Sequence, residues 1–339
     1  MQRRSFVPQA SLVSLVSLAL AILAWVGVSL WSPAVFAQET AFPSKSVRII
    51  VALAPGGSAD KLARTLAPKL SAKWGQSVVV ENLPGASSSI GTGQVVRSRP
   101  DGHTLLVGDD QIAINAALER KLPYDSIKDL RGVTKAVVNP QLLLVRPGLG
   151  VKTLEEFVAL AKKKPGQITV GIPGGVGSLQ QLALVMLTKQ LGIETNDIPY
   201  PGGGPILLDM LGGHLDATLV TLAAATGHVR EGTLIPLGVS TPQRSKALPD
   251  VPTLQELGVE GYSIATWQGI VAPRGVPDAV VQKLYHDFAE VLKEPAVSKQ
   301  LEEMGYNVAA STPEELDANI VRDIQTFSRV ARESGIRAE

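Results

Sequence analysis

Bond-making chemistry needs particular side chains at particular spacings, and this 339-residue chain supplies few of them. It has no cysteine, hence no thiolate nucleophile, no disulfide and no lipid attached through an N-terminal Cys. Its four histidines, His103, His214, His228 and His286, lie at ligand spacing neither to one another nor to paired carboxylates, so no metal is expected. The phosphate-binding pattern G-x-x-x-x-G-K-S/T is missing, and so is the G-x-S-x-G nucleophile elbow. A Gly-Gly turn with Glu81 downstream lacks the G-x-G-x-x-G spacing of a dinucleotide site. The residues therefore predict no enzyme and no cofactor.

What remains is the chemistry of the backbone N–H. In "APGGSAD" (54–60), Gly56 and Gly57 let the main chain approach a ligand closely. The N–H groups of Ser58, Ala59 and Asp60 would point out of a helix start, where the dipole favours an anion by about 0.3–1 kcal/mol. The same residues also read as a tight turn with Ser58 as N-cap and Asp60 satisfying the dipole. "GGVGS" (174–178) repeats the design with Gly175 and Gly177, and Ser178 with Gln181 forms an S-x-x-Q capping box. Those two side chains either hold orphan N–H groups or also face a ligand. "PYPGGGP" (199–205) is a third such turn, with Tyr200 aimed at a cleft or covering the core. Trp267 lies where a strand could line that cleft, or pack in the core.

Short β-branched runs alternating with amphipathic stretches position these turns. "VRIIVALA" (47–54) reads as a strand, followed by Leu62, Leu66 and Leu70 on one helical face that Pro68 should kink or shorten. Strands are expected at 77–82 and 103–108, and a strand leaving a first lobe at "QLLLVRP" (141–147). A second cycle opens with the capping box Thr153–Glu156 and ends one helix at Gly192. "YSIATWQGIVAP" (262–273) reads as a long strand crossing back, before three C-terminal helices. Two such cycles predict an α/β fold of two lobes with mostly parallel sheets, ligands binding beyond the strands' carboxyl ends.

Residues 1–37 carry Arg3 and Arg4, a long apolar run and then "SPAVFA", the pattern of a secretory signal cut after Ala37. An uncleaved anchor and a twin-arginine signal are the other readings of that stretch. Cleavage leaves 302 residues and removes two of 32 basic residues and none of 31 acidic ones, for a net charge of about −1. No basic excess points to nucleic acid.

"FPSKSVRIIVALAPGGSADKLAR", "VVVENLPGASSSIG", "RPDGHTLLVG", "LPYDSIKDL", "IPYPGGGPILLDMLGGHLD", "RSKALPDVPTLQELGVEGY" and "WQGIVAPRGVP" occur in this order. Together, over 42–336, they closely resemble the Bug-type periplasmic solute-binding proteins of tripartite tricarboxylate transporters. The resemblance implies a monomeric periplasmic binding protein of the two-lobed type II fold. Its lobe 1 would take 38–143, lobe 2 144–265, and 266–339 would return to lobe 1. It implies a small carboxylate ligand held by backbone N–H groups at Pro55 to Asp60 and Gly175 to Gln181, and large and small membrane subunits as partners. Some relatives partner sensors instead.

Two departures bear on the ligand. Gln181 stands where the family commonly has His, and Asp109 and Asp110 where it often has small neutral polar residues. Two unit charges about 4 Å apart interact by about 4 kcal/mol at an effective dielectric of 20. If either Asp faces the cleft, the expected ligand is a carboxylate that also carries an amine or amide. If both face water, or cap a helix near Gln111, that expectation falls away. The competing class is an α/β enzyme acting on a small organic acid.

Overall fold

The protein is described as a computed structural model covering residues 42–118, 121–175 and 177–334. The expected signal peptide and its cleavage point lie outside these residues. Strand β1 (Val47–Val51) is the expected apolar run, with four of its five residues buried. Helix α1 (Ser58–Trp74) follows, and Leu62, Leu66 and Leu70 are wholly buried along it. It runs through Pro68 without ending there. Pro68 is exposed, so its ring and the carbonyl left without an N–H partner face water, not the core. The chain continues through β2 (Val78–Asn82), α2 (Ser89–Val96), β3 (Thr104–Asp109) and α3 (Gln111–Ala117). β2 and β3 flank β1 in parallel, as βαβ units require.

β4 (Leu130–Val145) begins eleven residues before the strand expected at Gln141. The extra length was obscured by Gly132, Lys135 and Pro140. Gly132 is needed because the last helix crosses so closely that a Cβ would sit 3.0 Å from Leu316. After β4 come α4 (Leu154–Lys163), β5 (Thr169–Pro173), α5 (Leu179–Leu191), β6 (Asn196–Tyr200), α6 (Gly203–Leu211), β7 (Ala217–Thr221), α7 (Leu222–Arg230) and β8 (Ile235–Val239). The expected capping box opens α4, and Gly192 closes α5 in the left-handed conformation. β9 (Ala265–Pro273) and α8 (Asp278–Lys293) follow, then α9 (Pro295–Met304), β10 (Asn307–Val308) and α10 (Pro313–Ser334).

Pairing is mixed and not mostly parallel. One sheet has the order β2-β1-β3-β9-β4, with β10 also on β4; β9 runs antiparallel to both β3 and β4. In the other sheet β5 lies parallel between β6 and β7, while β4 pairs antiparallel with β7 and β8. The long β4 therefore serves both sheets: Leu130 to Pro140 pair with β9, and Gln141 to Val145 with β7. The change falls at Pro140, which has no N–H to donate. Separate apolar cores flank the two sheets. Leu62, Leu284 and Phe288 anchor the first, and Phe157, Leu187 and Tyr262 anchor the second.

Replacing Pro68 with Ala restores a helical hydrogen bond on the solvent face. Proline costs a helix interior about 3 kcal/mol, and about 1 kcal/mol is given back by its stiffening of the unfolded chain. A net gain of about 2 kcal/mol is expected in urea unfolding. A variant no more stable than wild type would show that this helix carries no proline penalty.

Candidate functional site

The first Gly-rich turn meets the third across the gap between the sheets. Ala54 N–H donates to Pro201 O at 3.2 Å. Cβ atoms built on Gly56 and Gly57 would lie 3.6 and 3.7 Å from Gly204 Cα and Gly203 N. One built on Gly204 would lie 2.1 Å from Pro55 O. These glycines let backbone touch backbone. Gly57, not Ser58, is the N-cap of α1, and no side chain caps it. Ser58 is already helical, and its hydroxyl instead accepts from Gln268 Nε2 at 2.6 Å. Its carbonyl accepts from Tyr306 OH at 2.6 Å, which fixes the helix start from the C-terminal side. Asp60 serves the turn itself, accepting from Gly56 N–H and Arg64 Nε at 3.0 and 2.9 Å. Burial raises the Asp60 carboxyl, but the bonds from Arg64, Gly56 and Asn82 outweigh it and leave the pKa below the usual range. Ala59 is packed into the first core.

The second loop behaves likewise. Ser178 Oγ accepts from Gln181 N–H at 3.3 Å, and Gln181 Oε1 accepts from Gly177 N–H at 2.5 Å. Both side chains are spent on their own turn. Gln180 faces the cleft instead and donates to Gln141 Oε1 at 3.3 Å, at the point where β4 changes sheets. Tyr200 OH donates to Asp209 Oδ2 at 2.5 Å. Burial first, and then Asp209, push that hydroxyl up to about 12.

A cavity of about 560 Å³, counting its open mouth, lies between the sheets. Of the residues singled out from the sequence, Gly57, Ser58, Asp109 and Asp110 line it. Gly175 and Tyr200 line an adjoining cavity that shares Leu53, Ser88 and Gly174 with the first. Gly56, Ala59, Asp60, Gly177, Ser178, Gln181 and Trp267 are in the walls of neither. Trp267 misses by one position. Strand residues alternate between faces, so Thr266 and Gln268 reach the cavity while Trp267 turns to α10. There its Nε1 donates to Asp323 Oδ2 at 2.8 Å. The alternation in "ATWQG" was the signal that could have found Thr266 and Gln268.

Asp109 and Asp110 both line the cavity. Asp109 Oδ1 also accepts from Gln111 N–H at 3.1 Å, so it faces the cavity and steadies the start of α3 at once. Asp110 Oδ2 accepts from Thr266 Oγ1. No Lys, Arg or His is among the described residues lining this cavity. Nor is any cluster of three or more His, Cys, Asp or Glu among the described residues placed to hold a metal ion.

The sequence matches the tripartite tricarboxylate transporter family receptor over residues 62–336. It is 32% identical to protein BugT of Bordetella pertussis over 320 residues, 93% of this chain and 98% of that one. The chain belongs to this receptor family. Two solved structures share its fold, each with a TM-score of 0.83. The periplasmic binding protein BugD is 28% identical over 88% of this chain and 100% of its own. An R. palustris protein solved with adipate is 30% identical over 87% of this chain and 99% of its own. The receptor therefore has the two-lobed periplasmic binding protein fold.

In this receptor the acids are held unfavourably. Burial pushes Asp109 up to about 6. It pushes Asp110 further; the bond from Thr266 opposes that, while Asp109 and Asp323 add to it. A raised carboxyl stabilises the fold fully below its unfolded pKa, near 3.8 here, and that contribution is lost as pH rises through about 6.

Asp109→Asn should accordingly raise the melting temperature of the ligand-free receptor at pH 7.5 and leave it nearly unchanged at pH 4. Equal shifts at both pH values would refute the assignment. Gly204→Ala drives a methyl group into Pro55 O. It should lower stability by about 1–3 kcal/mol and enlarge the radius of gyration in small-angle scattering, because the two turns can no longer meet.

Proposed function

We propose that this receptor is exported to the periplasm, closes its lobes on a small carboxylate that also bears an ammonium or amide group, and passes it to the membrane subunits of a tripartite transporter. The lobe limits proposed are 38–143 with 266–339, and 144–265. No bond is made or broken; the cycle is hinge closure selected by contacts from both sides of the cleft. The observation that carries the ligand class is a cavity lined by two carboxylates and by no described cation. A dianion such as adipate would face Asp109 and Asp110 without compensation. An ammonium beside them gains what the dianion loses. The carboxylate of the ligand fits the opposite wall, where Gly57 and the start of α1 supply donors and a favourable dipole. The first Gly-rich turn is then both a docking surface and half of an anion clamp.

A second reading follows from the raised carboxyls. Held neutral, Asp110 would donate a hydrogen bond to a carboxylate ligand, and a dicarboxylate would be accepted together with protons.

Calorimetry at pH 6 separates the two, using buffers of different ionisation enthalpy and L-glutamine, L-aspartate, γ-aminobutyrate, adipate and malate as ligands. The amine-bearing compounds should bind with proton release, because a cation favours the ionised acids. Tighter binding of adipate or malate with proton uptake would establish the second reading and overturn the first.

A further inference from the structure

The geometry points to Ser88 as a ligand-contacting residue that sets specificity, presented to the cavity by a left-handed turn. This rests on the cavity being the ligand site.

Ala86, Ser87 and Ser88 have φ of 45°, 49° and 68°, three consecutive non-glycine residues in the left-handed region. Side chains are disfavoured there, and such conformations persist only where the surroundings fix them. Here they are fixed through the carbonyls. Ala86 O accepts from Ser89 N–H at 3.0 Å. Ser87 O accepts from Asn115 Nδ2 at 2.8 Å, and Asn115 is in turn held by Gln111 Nε2 at 2.8 Å. Ser88 O accepts from both the N–H and the hydroxyl of Thr92. Asn115 is 1% exposed, so this clamp is part of the folded interior.

The clamp leaves one group unused. Ser88 is 7% exposed and lines the main cavity, yet its Oγ has no hydrogen-bond partner. Ser88 is the N-cap residue of α2, yet its side chain makes no capping hydrogen bond. Across the same cavity Gln268 Oε1 is also buried and unpartnered, while its Nε2 is committed to Ser58. Native interiors rarely leave buried polar atoms orphaned unless something else completes them. Ser88 also lines the adjoining cavity, so it stands where the two join. A ligand anchored in the main cavity and long enough to reach that junction gives its distal polar group to the Ser88 hydroxyl, which can donate to oxygen or accept from N–H.

Ser88→Ala removes the hydroxyl, and Ser88→Gly removes it while relieving the backbone. Both are titrated calorimetrically beside wild type with L-glutamine, L-aspartate, γ-aminobutyrate, adipate and malate, with melting curves of the ligand-free forms. For the tightest wild-type ligand, both variants should lose tenfold or more in affinity, and Ser88→Gly should melt no lower than wild type. That pairing excludes a merely structural serine, whose loss would lower stability and affinity together. A loss under tenfold in either variant overturns the assignment. If the tightest ligand is adipate or malate and both variants lose tenfold against it, Ser88 stands and the amine-bearing ligand class falls. A wild type that binds none of the five removes both.

Discussion

A single strand belongs to two sheets, and the rest of the molecule is arranged around that constraint. β4 is hydrogen-bonded to β9 up to Pro140 and to β7 from Gln141 onward. The return path lies beside it. Gln141 N–H donates to Ser240 Oγ at 2.8 Å, Ser240 N–H donates to Gln141 O, and the Ser240 hydroxyl donates to Ile264 O. The two crossings are thus one hydrogen-bonded unit, wholly buried at Asn139, Gln141 and Ser240. The cleft opens directly beside this unit, and Gln180 reaches from the cavity wall to Gln141. The cavity wall and the join between the sheets are therefore one hydrogen bond apart.

The electrostatics of the cleft follow from the same layout. Placing the ends of β3 and β9 side by side brings Asp110 against Thr266 and turns Trp267 toward Asp323 on α10. Asp109, Asp110 and Asp323 thereby share one poorly solvated region, and among the described residues lining the cavity no cation neutralises Asp109 or Asp110. Such an arrangement costs stability in the empty protein, and groups held this way are characteristic of functional sites. Asp60, under a thinner layer of protein, has Arg64, Asn82 and the Gly56 N–H beside it and shows the opposite shift.

Local rules were legible in the residues. Thr153 with Glu156, Gly192 at a helix end and the Leu62–Leu66–Leu70 face all act within one or two turns of their own sequence, whereas the box expected of Ser178 and Gln181 forms only in half, because Gln181 Oε1 takes the N–H of Gly177 and Ser178 N–H goes to Gly175 O. The Gly-rich turns were legible as special, but only one of their roles was. Nothing in "PGGSAD" alone reveals that "PGGG" will lie against it. Ser58 and Gln268 are 210 positions apart, and no spacing rule connects them. Ser88 was hidden for another reason: serine in a left-handed turn is held there by Asn115 and Thr92, and its neighbours in sequence do not specify it. The early half of β4 escaped because its composition answers to the helix crossing it and to the change of sheet at Pro140, not to the sheet it joins.

The contact between the two Gly-rich turns is made almost entirely of main chain. No long side chain has to be immobilised when it forms, and among the described residues one backbone hydrogen bond crosses it, from Ala54 N–H to Pro201 O. Its formation therefore carries little side-chain entropy cost and little enthalpic reward. Because glycine presents no side chain to the partner turn, the fit depends on what is absent: a single methyl group at Gly204, 2.1 Å from Pro55 O, would cost more than the one hydrogen bond across the contact returns.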